Sequence, residues 1–337
     1  ELLEKQIPFH KPNELICYHP KTIGFIGLGN VGFKLANSLL SAGHHLYVYD
    51  LEKSNAEVLI QSGAIWTDSP KELASLSDIA ITCLPSPEAV ANVVEGSDGL
   101  IHGATDGKVW IEMSTTDSHE MLRLGELMEK KGIHCCEAPV SGGCHRAATG
   151  NIAILVGGSR IAFDKAFPAL SAMGYQILHV GELGKASVLK VVTNYLASTH
   201  LAALGEGLMV CKKAGIDLKK AYEGIKISSG NSFVHETESQ VIMNGSYNIN
   251  FTMDLVCKDV GLFDDLAQSM SIPTEISPLI TEIFKKGREK YGDRAWSSMI
   301  VKRLEDACQT DLRADGFPAE LVDDTQRREG YEVKIEN

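Results

Sequence analysis

Residues 22–32, TIGFIGLGNVG, decide the fold of this chain. The apolar run Thr22–Ile26 precedes three glycines, Gly27, Gly29 and Gly32, whose spacing is GxGxxG. The run predicts a buried strand, and the residues after the glycines repeat apolar side chains with the period of a helix. A glycine-rich turn between a strand and a helix is typical of the first unit of a dinucleotide-binding βαβ fold. This stretch therefore predicts a parallel α/β domain that binds a dinucleotide.

Runs with strand character and runs with helical character alternate along the first half of the chain. The runs with strand character are residues 22–26, 45–49, 79–84, 109–113, 134–137, 151–156 and 176–180. The runs with helical periodicity are residues 30–42, 53–62, 87–94 and 117–131. Because alternating strands and helices form βαβ units, they predict a parallel sheet that is covered by helices on both faces.

The pattern changes after Gly184, where we expect the strands to stop. Residues 186–213 predict one long apolar helix, and helical patterns continue to about residue 307. We therefore predict an α/β Rossmann domain over residues 21–183. An all-α C-terminal domain, built on one long interdomain helix, is predicted over residues 184–308.

Two further segments flank these domains. Residues 1–20 are polar and contain three prolines, and we expect them to form an N-terminal arm on the surface or against a partner subunit. Residues 309–337 are polar and charged, and they predict a C-terminal tail that packs over the surface or is partly disordered.

The bulk composition excludes several classes of protein. The chain has 337 residues and a formal net charge of −12, so its surface repels phosphate backbones and anionic membranes. Nucleic acids and membranes are therefore not expected partners, and no stretch predicts a transmembrane helix or a signal peptide. The 8 cysteines show no CxxC spacing, which predicts no metal site and no disulfide framework. Free cysteines favour a reducing compartment, and we expect a cytoplasmic protein.

The glycine-rich turn predicts a cofactor site. Gly27 permits a tight turn, Gly29 lets a pyrophosphate approach the backbone, and Gly32 allows close packing of helix on strand. The intervening residues of this turn are Leu28, Asn30 and Val31. The amides at the start of the following helix then supply hydrogen-bond donors to the phosphates.

Asp50 predicts the choice between NAD and NADP. It ends the second strand-like run, 18 positions after Gly32, where a carboxylate accepts hydrogen bonds from ribose hydroxyls and repels a 2′-phosphate. We therefore expect NAD rather than NADP, although Lys53 is close enough in sequence to weaken that preference. Alternatively, Asp50 only caps the helix that follows it.

Two groups of residues are candidates for the chemistry. Lys190 and Asn194 lie four positions apart in the long helix and so share one face. Partial burial lowers the pKa of a lysine ammonium and suits it to proton transfer, but a lysine that snorkels from the helix edge is equally consistent with this spacing. Ser141, Gly142 and Gly143 offer backbone amides and a hydroxyl to a carboxylate, or form a plain turn.

Seven motifs in the same order give the chain a resemblance to the β-hydroxyacid dehydrogenase family, which includes 3-hydroxyisobutyrate dehydrogenase and tartronate semialdehyde reductase and is related to 6-phosphogluconate dehydrogenase. The motifs are GFIGLGNVG (24–32), CLPS (83–86), EMSTT (112–116), EAPVSGG (137–143), GNIAILVGG (150–158), GELGKASVLKVVTN (181–194) and CKDVGL (257–262). Together they span roughly residues 22–300. The resemblance implies hydride transfer between NAD(H) and a small 3-hydroxy acid or semialdehyde.

The resemblance also implies roles for single residues. Lys190 resembles the catalytic lysine, the general acid–base group, and Asn194 the amide that orients the substrate. The loop Ser141–Gly143 is similar to the one that binds the substrate carboxylate, and Asp259 would border the substrate. Residues that resemble cofactor contacts are Leu84, Pro85, Thr115 and, at the nicotinamide end, Lys258.

The resemblance leaves the substrate open. Val31 stands where the family usually has methionine, and residues 143–146 are more polar than usual, so they either contact an extra substrate group or face water. A sulfonate-specific or imine-specific reductase is an alternative, and a nonenzymatic NAD-binding scaffold protein is another. Lys190 argues against the imine-specific reductase, and Lys190 together with the acidic composition argues against the scaffold protein. The long apolar helices favour a homodimer or homotetramer.

Overall fold

A computed structural model describes residues 20–335 of the chain. All but one residue of the predicted N-terminal arm, and the last two residues of the predicted tail, lie outside the described residues.

Nine strands within residues 22–181 and one strand at residues 331–332 form a ten-stranded sheet. Its strands are β1 (Thr22–Ile26), β2 (His45–Tyr49), β3 (Ile65–Trp66), β4 (Ile79–Thr82), β5 (Val109–Glu112), β6 (His134–Glu137), β7 (Val140–Ser141), β8 (Ile152–Gly157), β9 (Gly174–Gly181) and β10 (Tyr331–Glu332). Their order is β10-β9-β8-β6-β5-β4-β1-β2-β3, and β7 pairs with β8. All pairs are parallel except β6 with β8 and β7 with β8. In this order β2 lies on one side of β1 and β4 lies on the other. The strand order therefore reverses between β1 and β4, and a crevice opens at the carboxyl ends of these two strands.

Helices cover the sheet and then form a separate layer. They are α1 (Gly32–Ser41), α2 (Glu57–Gln61), α3 (Pro70–Leu76), α4 (Pro87–Glu95), α5 (Ser118–Glu129), α6 (Gly143–Thr149), α7 (Arg160–Met173), α8 (Lys185–Lys213), α9 (Leu218–Lys226), α10 (Phe233–Asn244), α11 (Met253–Ser269), α12 (Ile276–Tyr291) and α13 (Lys302–Cys308). Short 3₁₀ helices cover Lys53–Ala56, Leu100–His102 and Ser297–Val301. Within residues 20–335 no helix has the length and apolarity that crossing a bilayer requires.

Local sequence explains where several helices begin. Ser86 and Asp117 precede α4 and α5, and their side chains accept hydrogen bonds from backbone amides of the first turn. Proline follows the cap at the first helical position of α4, where its missing N–H is not needed. Both helices pack on the face of the sheet that contains Trp110. These two helices are therefore fixed next to the carboxyl ends of β4 and β5.

The predicted fold class is confirmed: a Rossmann-type sheet is followed by helices that pack around α8. The 29 residues of α8 contact α10, α11, α12 and α13, and their apolar side chains share one core with Phe284 and Met253. The sequence patterns did not predict β3, α3, α6 or α7. The helix expected over residues 53–62 is a 3₁₀ turn followed by α2.

The expectation that no strand follows Gly184 is wrong, because β10 adds to the sheet from the far end of the chain. The tail, residues 309–335, lies across both halves of the molecule. Arg313 donates a hydrogen bond to Glu305 at 3.0 Å in the helical half, and Asn151 donates one to Asp323 at 2.9 Å in the sheet half. Two residues of β10 were too few to show a strand pattern in the sequence.

We predict that Arg313→Ala destabilises the protein. Its guanidinium is within hydrogen-bond distance of Glu305, which is 4% exposed, and of the Tyr247 hydroxyl at 2.6 Å. Removing it leaves a buried carboxylate without its cation, so the free energy of unfolding should fall by about 1–3 kcal/mol. Thermal unfolding measures the change. Arg328→Ala, which removes only a 3.3 Å contact with Tyr175, is the control, and equal unfolding temperatures for the two variants would contradict the prediction.

Candidate active site

The glycine turn after β1 has the shape that a dinucleotide phosphate requires. Gly27 has φ of 93°, and a Cβ there would lie 2.3 Å from the Cys83 carbonyl oxygen. A Cβ at Gly32 would lie 2.0 Å from the carbonyl oxygen of Gly27. A Cβ at Gly29 would meet nothing within 4 Å, so this residue faces open space. Gly27 and Gly32 therefore fix the turn, while Gly29 leaves room for a pyrophosphate above the start of α1.

The Asp50 carboxylate is tied to this turn. Oδ2 accepts a hydrogen bond from the Leu28 amide at 2.6 Å, and Oδ1 accepts one from the Glu52 amide at 2.9 Å. Lys53 instead extends over the Trp66 ring, with Nζ 5.2 Å from the ring centroid. A residue that only caps the next helix would have no need of the bond to Leu28. The Asp50 carboxylate thus lies against the glycine turn, and its contact with a cofactor ribose stays a prediction.

The other predicted cofactor residues gather at the same edge of the sheet. Leu84 and Pro85 follow β4, and Thr115 follows β5, so they share the carboxyl edge with the glycine turn. Lys258 reaches this edge from α11 and donates a hydrogen bond to the Thr115 carbonyl at 2.7 Å. The fold therefore brings together residues that lie far apart in the sequence.

A buried carboxylate that sequence reasoning missed holds two of these loops. Glu112, at the end of β5, is completely buried, and it accepts hydrogen bonds from the Ser114 amide at 2.6 Å and from the Thr82 hydroxyl. Ser114 in turn accepts a hydrogen bond from the Leu84 amide at 2.7 Å. Burial raises the pKa of Glu112 to about 7. Glu112 therefore sets the relative position of the loops that follow β4 and β5.

A second buried carboxylate joins the sheet to the long helix. Glu137, at the end of β6, accepts hydrogen bonds from the Ala186 amide at 2.7 Å and from the Ser187 hydroxyl. A Cβ at Gly157 would lie 2.3 Å from a Glu137 oxygen, so only glycine leaves room for this side chain. Burial raises the pKa of Glu137, whereas the donors at the start of α8 lower it. The contact fixes where α8 begins relative to β6.

Lys190 and Asn194 belong to a chain of polar contacts. Nζ of Lys190 donates to Oδ1 of Asn194 at 2.6 Å, and Nδ2 of Asn194 donates to Asp259 at 2.5 Å. The other Asp259 oxygen lies 3.0 Å from Nζ of Lys258. These contacts decide which end of the Asn194 amide faces Lys190, and they connect the long helix through Lys258 to the loop after β5.

The Lys190 side chain is buried. The residue is 7% exposed, and desolvation lowers the pKa of its ammonium from 10.5 to about 8. The negative charge of Asp259 opposes this shift, and the positive charge of Lys258 adds to it. The alternative left open by the sequence, a lysine that snorkels to solvent from the helix edge, does not describe Lys190. An amine with this pKa exchanges a proton near neutral pH.

A cavity of about 200 Å³ opens beside Lys190 and Asn194. The predicted carboxylate loop, Ser141–Gly143, lines it from the sheet side, where Gly142 and Gly143 have φ of 126° and 85°. Asp259 does not line the cavity but lies behind Asn194, so its contact with a substrate stays a prediction. No group of three or more potential metal ligands occurs in the described part of the chain.

Sequence reasoning also missed Glu238, which lines this cavity from α10. Glu112 and Glu137 each end an apolar strand run, inside the motifs EMSTT and EAPVSGG, and a charged residue closing such a run was a usable signal. For Glu238 the sequence offers no such signal, because this residue lies in a polar stretch that resembles any exposed helix face.

The polar residues that follow the loop Ser141–Gly143 differ in their surroundings. Cys144 is buried, His145 lines the cavity, and Arg146 is exposed.

Two family models match successive parts of the chain. Residues 22–181 match the NAD-binding domain of 6-phosphogluconate dehydrogenase, and residues 184–304 match the NAD-binding model of NADP-dependent 3-hydroxyisobutyrate dehydrogenase. The glycine turn and the cavity described above lie within these two matches. The chain belongs to this family of NAD(P)-binding hydroxyacid dehydrogenases, and the resemblance drawn from its motifs is confirmed.

Similar proteins agree with this assignment. 2-(Hydroxymethyl)glutarate dehydrogenase of Eubacterium barkeri is 34% identical over 84% of this chain and 94% of its own length. The crystal structure of 3-hydroxyisobutyrate dehydrogenase from Salmonella typhimurium has a TM-score of 0.76 at 27% identity, over 83% of this chain and 99% of that one. A structure of Psf3 in complex with NADP⁺ and 2-OPP has a TM-score of 0.78 at 25% identity, over 84% and 99%.

We predict that Glu112→Gln weakens dinucleotide binding. A glutamine has one acceptor oxygen, so either the Ser114 amide loses its acceptor or the Thr82 hydroxyl must turn from donor to acceptor, and the loops after β4 and β5 loosen. Loss of one such bond, about 1 kcal/mol, raises the Kd roughly fivefold. Titration with NADH and NADPH, followed by cofactor fluorescence, measures it. Glu129→Gln, an exposed change at the end of α5, is the control, and an unchanged Kd in Glu112→Gln would rule out this role.

Proposed function

We propose that this protein oxidises small 3-hydroxy acids, or reduces the corresponding semialdehydes, with NAD(H), and that Lys190 is the acid–base group. The observation that carries the proposal is a buried amine on the wall of a cavity, next to an amide and opposite a loop rich in backbone donors. The pKa of this amine, about 8, suits it to proton transfer in both directions.

Each part of the cavity has a role in this proposal. The loop Ser141–Gly143 binds the substrate carboxylate through its amides and hydroxyl. Lys190, as a neutral amine, takes the proton from the substrate hydroxyl, and as an ammonium it returns the proton in reduction. Asn194 holds Nζ of Lys190 and, through Asp259, keeps its own orientation. A bound nicotinamide dinucleotide supplies the hydride acceptor or donor.

The alternatives predicted from the sequence have less support. Imine reduction and a nonenzymatic scaffold role need no buried amine of lowered pKa on the cavity wall, whereas alcohol oxidation needs a base there. A sulfonate substrate would use the same amine and the same loop, because a sulfonate is also an anion that backbone donors bind. It therefore remains a different substrate for the proposed chemistry rather than a different mechanism.

We expect Lys190→Ala to lose at least about a hundredfold in turnover while NADH still binds, because the base is removed without disturbing the glycine turn. The measurement is absorbance of the reduced cofactor with a panel of 3-hydroxyisobutyrate, tartronate semialdehyde, succinic semialdehyde and sulfolactaldehyde. Lys185→Ala, an exposed lysine on the same helix, is the control. Near-normal turnover in Lys190→Ala would falsify the assignment.

The pH profile of the unmodified enzyme gives a second measurement of the same role. Because the pKa of Lys190 is lowered to about 8, the neutral base predominates above that pH. In oxidation, kcat/KM should rise with pH and level off above about 8, and in reduction it should fall over the same interval. Profiles that stay flat between about pH 7 and 9 in both directions are incompatible with this role.

The cofactor preference is a separate part of the proposal. With Asp50 beside the glycine turn, we expect kcat/KM with NADH to exceed that with NADPH at least about tenfold, because the carboxylate repels a 2′-phosphate. Asp50→Asn should reduce this ratio, mainly by raising activity with NADPH. Glu52→Gln, an exposed carboxylate two residues away, is the control. A preference for NADPH in the unmodified enzyme would overturn this prediction.

A further inference from the structure

Glu238 occupies an unusual place on the cavity wall. It belongs to α10, and the residues of this helix that line the cavity are Phe233, Val234, Thr237 and Glu238. Their spacing puts them on one face of the helix, one turn apart. The amine of Lys190 and the loop Ser141–Gly143 line the same cavity from α8 and from the sheet. A ligand that fills the cavity therefore meets Glu238 in addition to the groups that the proposed mechanism uses.

The Glu238 carboxylate lacks a partner within the protein. Its Oε2 atom is shielded from solvent yet has no hydrogen-bond partner, and no lysine, arginine or histidine of residues 20–335 forms an ion pair with it. Burial alone raises its pKa to about 8. Buried polar groups almost always have partners, so an unpartnered carboxylate oxygen at a binding cavity points to a partner that arrives with the ligand.

The nearby cationic side chains are engaged elsewhere. Lys190 is held by Asn194, and Asp259 lies behind that amide. The His145 ring stacks on the Phe233 ring, with centroids 6.4 Å apart, and the Arg146 guanidinium lies 4.8 Å from the centroid of the same ring. Once Glu238 is ionised, above about pH 8, a substrate carboxylate placed against it would meet a like charge, whereas an ammonium would complete an ion pair with its shielded oxygen.

We propose that Glu238 determines substrate specificity: it favours a 3-hydroxy acid whose side chain ends in an ammonium group, and it disfavours one that ends in a second carboxylate. The inference rests on the proposed function, in which the first carboxylate binds to Ser141–Gly143. The proposal predicts poor oxidation of 2-(hydroxymethyl)glutarate, the dicarboxylate in the name of one similar enzyme. Glu238 thus selects among substrates and takes no part in the proton transfer.

Three acids with a common core test this proposal. Each is a 2-(hydroxymethyl) carboxylic acid, and the side chains end in a methyl group, an ammonium group or a carboxylate. The measurement is kcat/KM for oxidation by NAD above about pH 8, where Lys190 is mainly neutral and Glu238 mainly ionised. We expect the ammonium acid to exceed the dicarboxylate at least about tenfold in the unmodified enzyme.

In Glu238→Gln this ratio should fall at least about tenfold, while kcat/KM for the methyl-terminated acid changes less than about threefold. Glu236→Gln is the matched control, because Glu236 is on the same helix, does not line the cavity, and holds Asn231 through an oxygen that glutamine retains. A ratio that is the same in Glu238→Gln and the unmodified enzyme, or a preference of the latter for the dicarboxylate, would overturn the proposal.

Failure of the proposed function gives a different result. If none of the three acids is oxidised, the proposed function fails, and binding of the acids then tests Glu238 without turnover. Calorimetric titration of each acid into the protein with bound NADH reads this binding. Tighter binding of the ammonium acid, lost in Glu238→Gln, supports the role of Glu238, and equal binding of all three acids contradicts it.

Discussion

The contact between Glu137 and the start of α8 is the constraint on which the rest of the site depends. This carboxylate ends β6, and the loop Ser141–Gly143 follows it within a few residues. Its partner Ser187 lies less than one helical turn before Lys190. One buried interaction therefore sets the distance between the loop and the amine, although they belong to different halves of the chain. The contact is strong because a carboxylate meets the unpaired amides of a helix N-terminus.

Buried ionisable side chains hold the parts of this site in place, although each of them loses hydration when it is buried. Glu112 and Glu137 each meet several donors, so their burial is compensated and they act as rigid links between loops. The contacts of the Lys190 ammonium replace only part of its lost hydration, and this is why its pKa is lowered. Glu238 has an oxygen with no compensation at all. Partnered charges thus lie behind the cavity, and incompletely partnered ones lie on its wall, where a ligand can meet them.

Much of the fold follows from the sequence, because its signals are local. Alternating apolar runs predicted most central strands, and β1, β2 and β6 have the predicted bounds. The short strands β3, β7 and β10 have only two residues each and carry no periodic pattern. The position of β10 depends on a long-range pairing with β9, which no local pattern encodes. Lys190, Asn194 and the loop Ser141–Gly143 line one cavity, whereas Asp259 lies behind Asn194, and the roles of these residues stay predictions.

The sequence by itself determined the fold class, the glycine turn and the candidate amine. These features follow from the periodicity of strands and helices and from the spacing of glycines, which are patterns among residues close together in the chain. The tertiary structure alone decided that Lys190 is buried rather than snorkelling, since burial depends on what packs around the helix. It also decided which acidic residues matter. Glu112, Glu137 and Glu238 differ from exposed glutamates only in their surroundings, and those surroundings come from residues that are distant in the chain.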